Sequence, residues 1–356
     1  MSNLRLPPMG ERRVTAVRLL LAFALGIAGG LVALEIGAPL PWLLGSVMTV
    51  GAGAMFLPIS PQVPRNLRMG FVPVIGVAIG AAFTPDIVDD IERWWPSLAA
   101  LCVFIPAAHL SCYWALRRGG LDAPTAYWGA VPGGLIESVI LGEEAGADVA
   151  ILTILQFLRL ILCIMVIPLG FTIATGEAVG SASGAVIGGP GELTPIDWVV
   201  LALCGIGGLL GGRAIGLPAA VMTGPLLVSG GAHLAGLVHG APPRWLIDLT
   251  QLVVGVSLGC RFAGLGPRLI GSAFRLATVN LLLTLSLTGV AALALPPLVG
   301  ESWEAIVLAF APGGIAEMSL VALSLEVSIL FVTAHHVARI VIAIGAAKLL
   351  WSRFGT

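Results

Sequence analysis

Apolar runs fill the chain from Val14 to Trp351, separated by short polar or proline- and glycine-rich stretches, with no polar region long enough to fold separately. Six runs occupy the first half, near 17–36, 40–58, 67–83, 97–117, 125–142 and 149–175. Six more occupy the second, near 198–215, 217–240, 246–263, 269–297, 303–324 and 327–351. Most reach the roughly 20 residues that a helix needs to cross a bilayer core. The pattern predicts an all-α integral membrane protein. The fifth run of each half is the exception, because Pro-Gly-Gly sits in its middle. Proline removes a backbone donor and glycine weakens a helix. Inside a bilayer such a break persists only where protein or a wet cavity satisfies the freed backbone groups.

The two halves are copies. Val131-Pro-Gly-Gly-Leu-Ile-Glu137 returns as Ala311-Pro-Gly-Gly-Ile-Ala-Glu317, and the same offset of 180 places Thr153 on Thr333, Gln156 on His336 and Arg159 on Arg339. Earlier in each half the offset is 179: Pro39 matches Pro218, Gly45 matches Gly224, and Pro64-Arg65 matches Pro243-Arg244. Gly29-Gly30-Leu31 also reads like Gly207-Gly208-Leu209. Arg12-Arg13 and Arg18 before an apolar run imitate a signal peptide, but its internal counterpart argues for a retained span.

Loop charges predict the topology. In the first half the loop after the third run is acidic (Asp86, Asp89, Asp90, Glu92) and the loop after the fourth is basic (Arg117, Arg118). In the second half the order reverses: Arg261, Arg268 and Arg275 follow the third run, Glu301 and Glu304 the fourth. Equivalent loops of opposite charge predict inverted-topology repeats, hence an odd number of crossings per half. Five transmembrane helices per repeat, plus a re-entrant or discontinuous Pro-Gly-Gly segment, meet that condition; a parallel duplication with twelve crossings is the competing arrangement. The expected layout is a cytoplasmic tail 1–16, a first repeat 17–175, an extracytoplasmic Gly/Ser-rich linker 176–197, a second repeat 198–352 and a tail 353–356. Arg5, Arg12, Arg13 and Arg18 at one end, and Lys348 and Arg353 at the other, place both termini in the cytoplasm. Glu177 and Glu192 place the linker outside, and Glu143-Glu144 is the misfit.

Composition narrows the function. Of 356 residues, 58% are hydrophobic and 10% charged, and the mean hydropathy is +1.02. A soluble domain carries roughly 25% charged residues, so a soluble enzyme and a disordered chain are excluded. A net charge of −1 with no basic stripe argues against a nucleic-acid partner. Cys102, Cys112, Cys163, Cys204 and Cys260 lie in apolar stretches without a C-x-x-C pair, and read as packing residues rather than redox or metal ligands. No cofactor or metal motif and no catalytic constellation is present. The pairs Gly26/Gly30, Gly76/Gly80, Gly207/Gly211 and Gly255/Gly259 read as close-packing helix contacts. Pro39, Pro41 and Trp42 read as a span start with an aromatic anchor.

Candidate chemistry lies at the breaks. Pro132, Gly133, Gly134 and Glu137, with Pro312, Gly313, Gly314 and Glu317, form two broken-helix motifs of the kind that marks a transporter's midplane site. Each glutamate reads either as a capping carboxylate or as a proton or cation carrier. Thr153, Gln156 and Arg159 recur at a spacing of three, as do Thr333, His336 and Arg339, and wind one polar stripe along a helix. Arginines so deep in apolar runs face a partner or a wet cavity. Two readings stay open: interior salt bridges from Glu137 to Arg159 and from Glu317 to Arg339, or substrate binding toward an anion. His336 is a candidate for proton handling, while the adjacent His335 points about 100° away on a helix.

At Pro39-Leu-Pro-Trp-Leu-Leu-Gly45, the two Pro-Gly-Gly-x-x-Glu motifs and the Arg159/Arg339 helices, the chain resembles the AbrB family of membrane proteins over nearly its whole length. The second copy departs at Pro218-Ala-Ala-Val221, where Pro-Trp-Leu-Leu is lost. Members carry labels such as "AbrB family transcriptional regulator" and "ammonia monooxygenase". The resemblance implies a bacterial inner-membrane location and a link to the superfamily of cation/proton antiporters and anion transporters with inverted repeats. The expected function is an ion- or proton-coupled secondary transporter of a small solute; the alternative is a membrane-embedded regulator of gene expression acting through a partner. The expected partners are the lipid bilayer and a small-molecule or ion substrate, with homo-oligomerisation open.

Overall fold

The computed structural model describes residues 9–83, 92–176, 179, 193–264 and 267–354. Arg5, Asp86, Asp89, Asp90, Glu177 and Glu192 lie outside the described residues, as do the side chains of Arg12, Arg13, Arg268 and Arg353. The regular elements among the described residues are all helices, without strands. In chain order they form α1 (Met9–Glu35), α2 (Pro41–Phe56), α3 (Arg65–Gly80), α4 (Trp95–Arg118), α5 (Ala123–Ala130), α6 (Leu135–Glu144), α7 (Val149–Thr175), α8 (Pro195–Ala214), α9 (Ala220–Leu234), α10 (Arg244–Gly259), α11 (Pro267–Ala294), α12 (Pro296–Val299), α13 (Trp303–Phe310), α14 (Ile315–Ser324) and α15 (Ile329–Phe354). Seven helices among the described residues are long and apolar enough to cross a membrane. Many of their large apolar side chains face outward, Val103 and Ile173 at 73% and 75% exposure among them. A surface of that kind suits lipid rather than water.

Several run boundaries differ from the sequence pattern. Helix α1 starts at Met9, inside the expected tail, because Glu11-Arg12-Arg13 are good helix formers and no proline stands before them in the helix. The second run of each half yields a short helix, of 16 and 15 residues. Both are entered through a strained residue: Leu40 and Ala219, which match at the offset of 179, take the left-handed conformation at φ 47° and 49°. Such a backbone costs a non-glycine residue about 1–2 kcal/mol, and fixes where each helix begins. The fifth runs are interrupted as expected. Helices α5 and α13 have eight residues each, α6 and α14 ten each, and the four-residue gaps between them hold the Pro-Gly-Gly motifs.

Helix packing sorts the elements into two groups. One contains α1, α2, α3, α8, α9 and α10; the other contains α4 to α7 and α11 to α15. Each half therefore contributes its first three runs to one group and its last three to the other. Between the groups, α3 packs on α14. An apolar seam of Ile75, Ile79, Met222, Leu226 and Ile315 fills that junction, with Val337 and Ile340 of α15 against it.

Backbone-to-backbone approach holds the first group together. Gly29 of α1 faces Gly45 of α2, each carbonyl lying where the other residue's Cβ would stand. Gly208 of α8 meets the α9 backbone at Gly224 and Pro225, its carbonyl lying where a Gly224 Cβ would stand. The contact corrects two readings from the sequence. The duplicated glycine of α1 pairs with Gly208 at the offset of 179, not with Gly207. Gly207 and Gly211 face open space, whereas Gly208 and Gly212 make the close contact. Gly76/Gly80 do pack, on the α9 backbone, and Gly255/Gly259 on α2. The Trp42 ring lies over Gly30, so it packs on α1 as well as flanking a span.

Candidate functional site

A helix leaves its last carbonyls without partners, and the short helices α5 and α13 end in the protein interior. The polar stripes of α7 and α15 meet those carbonyls. Gln156 donates from Nε2 to Trp128 O at 3.0 Å and more weakly to Gly129 O at 3.5 Å, and Arg159 donates from Nη1 to Val131 O. In the second half His336 Nε2 lies 2.9 Å from Leu308 O, and Arg339 Nη1 donates to Ala311 O. Apart from the weak Gln156–Gly129 contact, every donor and acceptor in this set corresponds at the offset of 180, so the duplication preserves a helix-end clamp and not merely a string of letters.

The starts of α5 and α13 also correspond. Asp122 accepts from Thr125 N at 2.9 Å and Ser302 from Ala305 N at 3.2 Å, each serving as N-cap. Asp122 lies outside the spans. Its slight burial pushes the carboxyl up, but hydrogen bonds from Thr125, with Arg117 nearby, outweigh this and hold it below the usual range.

The second clamp is more complete than the first. Arg339 Nη2 reaches Gly313 O at 2.7 Å and His336 Nδ1 at 3.0 Å. A carbonyl only accepts, so His336 carries its proton on Nε2 and accepts from Arg339 at Nδ1. Thr333 donates to Ile329 O and accepts from Ser319 Oγ, both at 2.8 Å. In the first half Thr153 is half-buried and makes no side-chain hydrogen bond among the described residues, while Ser138 Oγ donates to Gly133 O at 3.2 Å. His335 turns away as its position predicts: it meets Phe331 O at 2.7 Å and Ser97 of α4 at 2.8 Å.

The interior salt bridges offered by the sequence are absent among the described residues. The guanidiniums of Arg159 and Arg339 lie on carbonyls instead, because those acceptors end helices only one interhelical distance away. The glutamates turn to the other side of each break. Glu137 Oε2 lies 3.3 Å from where a Cβ on Gly134 would stand, over the start of α6. The Glu317 carboxylate covers Gly314 at the start of α14. Glu317 is buried and Glu137 half-buried. The double glycines differ as well: Gly134 is left-handed (φ 62°, ψ 61°) and Gly314 extended (φ −83°, ψ 150°).

The two sites approach one another. Gly133 packs against α15, where an added Cβ would lie 3.6 Å from Ala343 Cβ and from Arg339 O. Helix α14 packs on α7. Arg159 and Arg339 lie within electrostatic reach of each other, and buried Cys163, one turn beyond Arg159, within reach of both and of Glu317. The buried Pro132 and Pro312 complete the two turns. Sequence reasoning missed Arg68, on the first turn of α3, within electrostatic reach of Glu317 across the junction between the helix groups. A cation flanking an apolar run is commonplace, and nothing in the sequence distinguishes Arg68 from its neighbour Arg65.

Comparison with known proteins identifies the family. The family described as "Transition state regulatory protein AbrB" matches residues 42–355. "Uncharacterized protein YhjN" of Bacillus subtilis (strain 168) is 28% identical over 352 residues, which cover 90% of this chain and 89% of that protein. "Putative regulator AbrB" of Escherichia coli (strain K12) is 24% identical over 232 residues, covering 64% of this chain and 65% of that protein. The match spans both clamps and both breaks, and the chain belongs to the AbrB family.

Proposed function

We propose that the protein is a secondary transporter in the bacterial inner membrane, moving a small solute in exchange or symport with a proton or another ion. One observation carries this reading: two interior helix breaks, one per half, each opened at a Pro-Gly-Gly turn and flanked by a buried arginine on one side and a glutamate on the other. Broken helices that expose carbonyl ends and amide starts toward the interior are suited to ion and solute sites. The sorting of helices into two groups supports alternating access, since relative movement of the groups would bare the breaks to each side in turn. Arg68 and Glu317, within electrostatic reach of each other, face across that junction. In this reading the halves are inverted, five helices cross the membrane in each, the broken segments re-enter, and both termini are cytoplasmic. Glu137 and Glu317 carry the coupling charge, and no catalytic step or cofactor takes part.

Flux and internal pH in proteoliposomes test the proposal, with small carboxylates, amino acids, ammonium and simple cations under an imposed proton gradient. Flux should disappear in Glu137→Gln or Glu317→Gln that still insert normally. Full pH-dependent flux in both variants removes the carboxylates from the mechanism. The names of the family and of the Escherichia coli relative favour a second reading, a membrane-embedded regulator acting through a partner. Deleting residues 2–11 separates them: lost regulation with unchanged flux supports sensing, and lost flux with intact regulation opposes it.

A further inference from the structure

Charge and donor accounting at the meeting of the two breaks goes one step further. Arg159 and Arg339 are 6% and 3% exposed, yet neither has a carboxylate partner among the described residues. Arg159 commits one of a guanidinium's five N–H groups to protein, the one on Val131 O. Its Nε is buried without a partner among the described residues, as is Nε of Arg339. Leaving charged donors unsatisfied in a dry interior is costly, and two like charges within mutual reach add repulsion. Helix ends do not cancel the excess. The carbonyl ends of α5 and α13 supply about half a negative charge each, and the starts of α6 and α14 about half a positive charge each, so the four offset one another. Three arginines, Arg68, Arg159 and Arg339, then stand against buried Glu317, with Glu137 at the rim. Counting both carboxylates leaves one positive charge.

We infer that Arg159 and Arg339 jointly hold one small monovalent anion, a monocarboxylate, between the two helix breaks beside Cys163. The guanidinium fork matches a carboxylate's two oxygens, and the uncommitted N–H groups of Arg159 supply the donors. Binding of the anion stands apart from its transport; only the step that makes the anion the cargo rests on the transporter reading.

Thermal unfolding of the full-length protein in detergent tests this, titrating sodium acetate against sodium chloride at constant ionic strength and sodium. Acetate should raise Tm along a saturable curve, as a ligand of the folded state does. Arg159→Lys and Arg339→Lys keep the charge but lose the fork, and should weaken the apparent Kd at least tenfold. Glu317→Gln removes the opposing charge and should tighten it several-fold. No saturable rise in the wild-type protein overturns the inference, whatever the variants do. Equal affinity in the wild type and both lysine variants overturns the placement. Radiolabelled acetate uptake in proteoliposomes then divides the two ideas. Saturable binding without acetate uptake keeps the anion site and removes the anion as cargo; proton or cation flux without acetate binding keeps the transporter and removes the anion site.

Discussion

The two breaks began as one motif and now differ in how tightly they are held. The first is secured by one arginine bond to Val131 O and an amide from Gln156, with Glu137 half-exposed beyond a left-handed glycine. The second is secured by Arg339 on two carbonyls and on His336, with Glu317 buried and facing Arg68. Two substitutions account for much of the difference. Histidine replaces glutamine at the clamp, adding an acceptor directed at the arginine, and the position matching Arg68 at the offset of 179 is Ile247. A duplicated site thus keeps its backbone chemistry while its charge environment diverges.

Truncating the arginines is expected to have the largest effect and to separate the breaks most clearly. An orphaned buried acceptor costs about 1–3 kcal/mol, so Arg339→Ala, which frees two carbonyls, should destabilise roughly twice as much as Arg159→Ala. Unfolding midpoints in detergent measure this, and equal losses would remove the asymmetry. Gly134→Ala follows, at about 1–2 kcal/mol for its left-handed backbone, compounded by Ile344 lying 2.7 Å from the new methyl. Gly314→Ala should cost less stability, because its methyl meets the movable Glu317 carboxylate, but should impair flux more. A reversed order in both readouts would contradict the geometry. His336→Gln, which installs the first break's residue in the second, should stay within about 1 kcal/mol of the parent, whereas His336→Ala loses both its bonds.

The smallest effect concerns the matching caps. Asp122→Ala and Ser302→Ala should each cost about 1 kcal/mol, but only the first should depend on pH. The Asp122 carboxyl is held below its ordinary value of 3.8. Its contribution is therefore complete above that pH and is lost as pH falls through the lowered folded value. The destabilisation in Asp122→Ala should shrink there, and that in Ser302→Ala should not.

Much of this was legible beforehand for a plain reason. Pro-Gly-Gly cannot continue a helix, and a duplicated Gln/His–x–x–Arg stripe marks a helix face that must meet something polar. What the stripe meets was not legible, since carboxylates and carbonyls compete for an arginine and only the fold decides which is nearer. The glycine register escaped for a similar reason. Gly207 and Gly208 are chemically identical, and the one that touches α9 is chosen by helix rotation. Arg68 was hidden because its partner comes from another half of the chain.

The way each half is shared between the two helix groups has a consequence for synthesis. When the ribosome has delivered residues up to Thr175, α2 still lacks α10, α3 lacks α9, and the turn at Gly133 lacks α15. The half-made chain therefore holds its arginine-bearing helix incompletely covered until the last helix arrives. Severed between 176 and 197, the two pieces should be degraded when made singly and accumulate when made together.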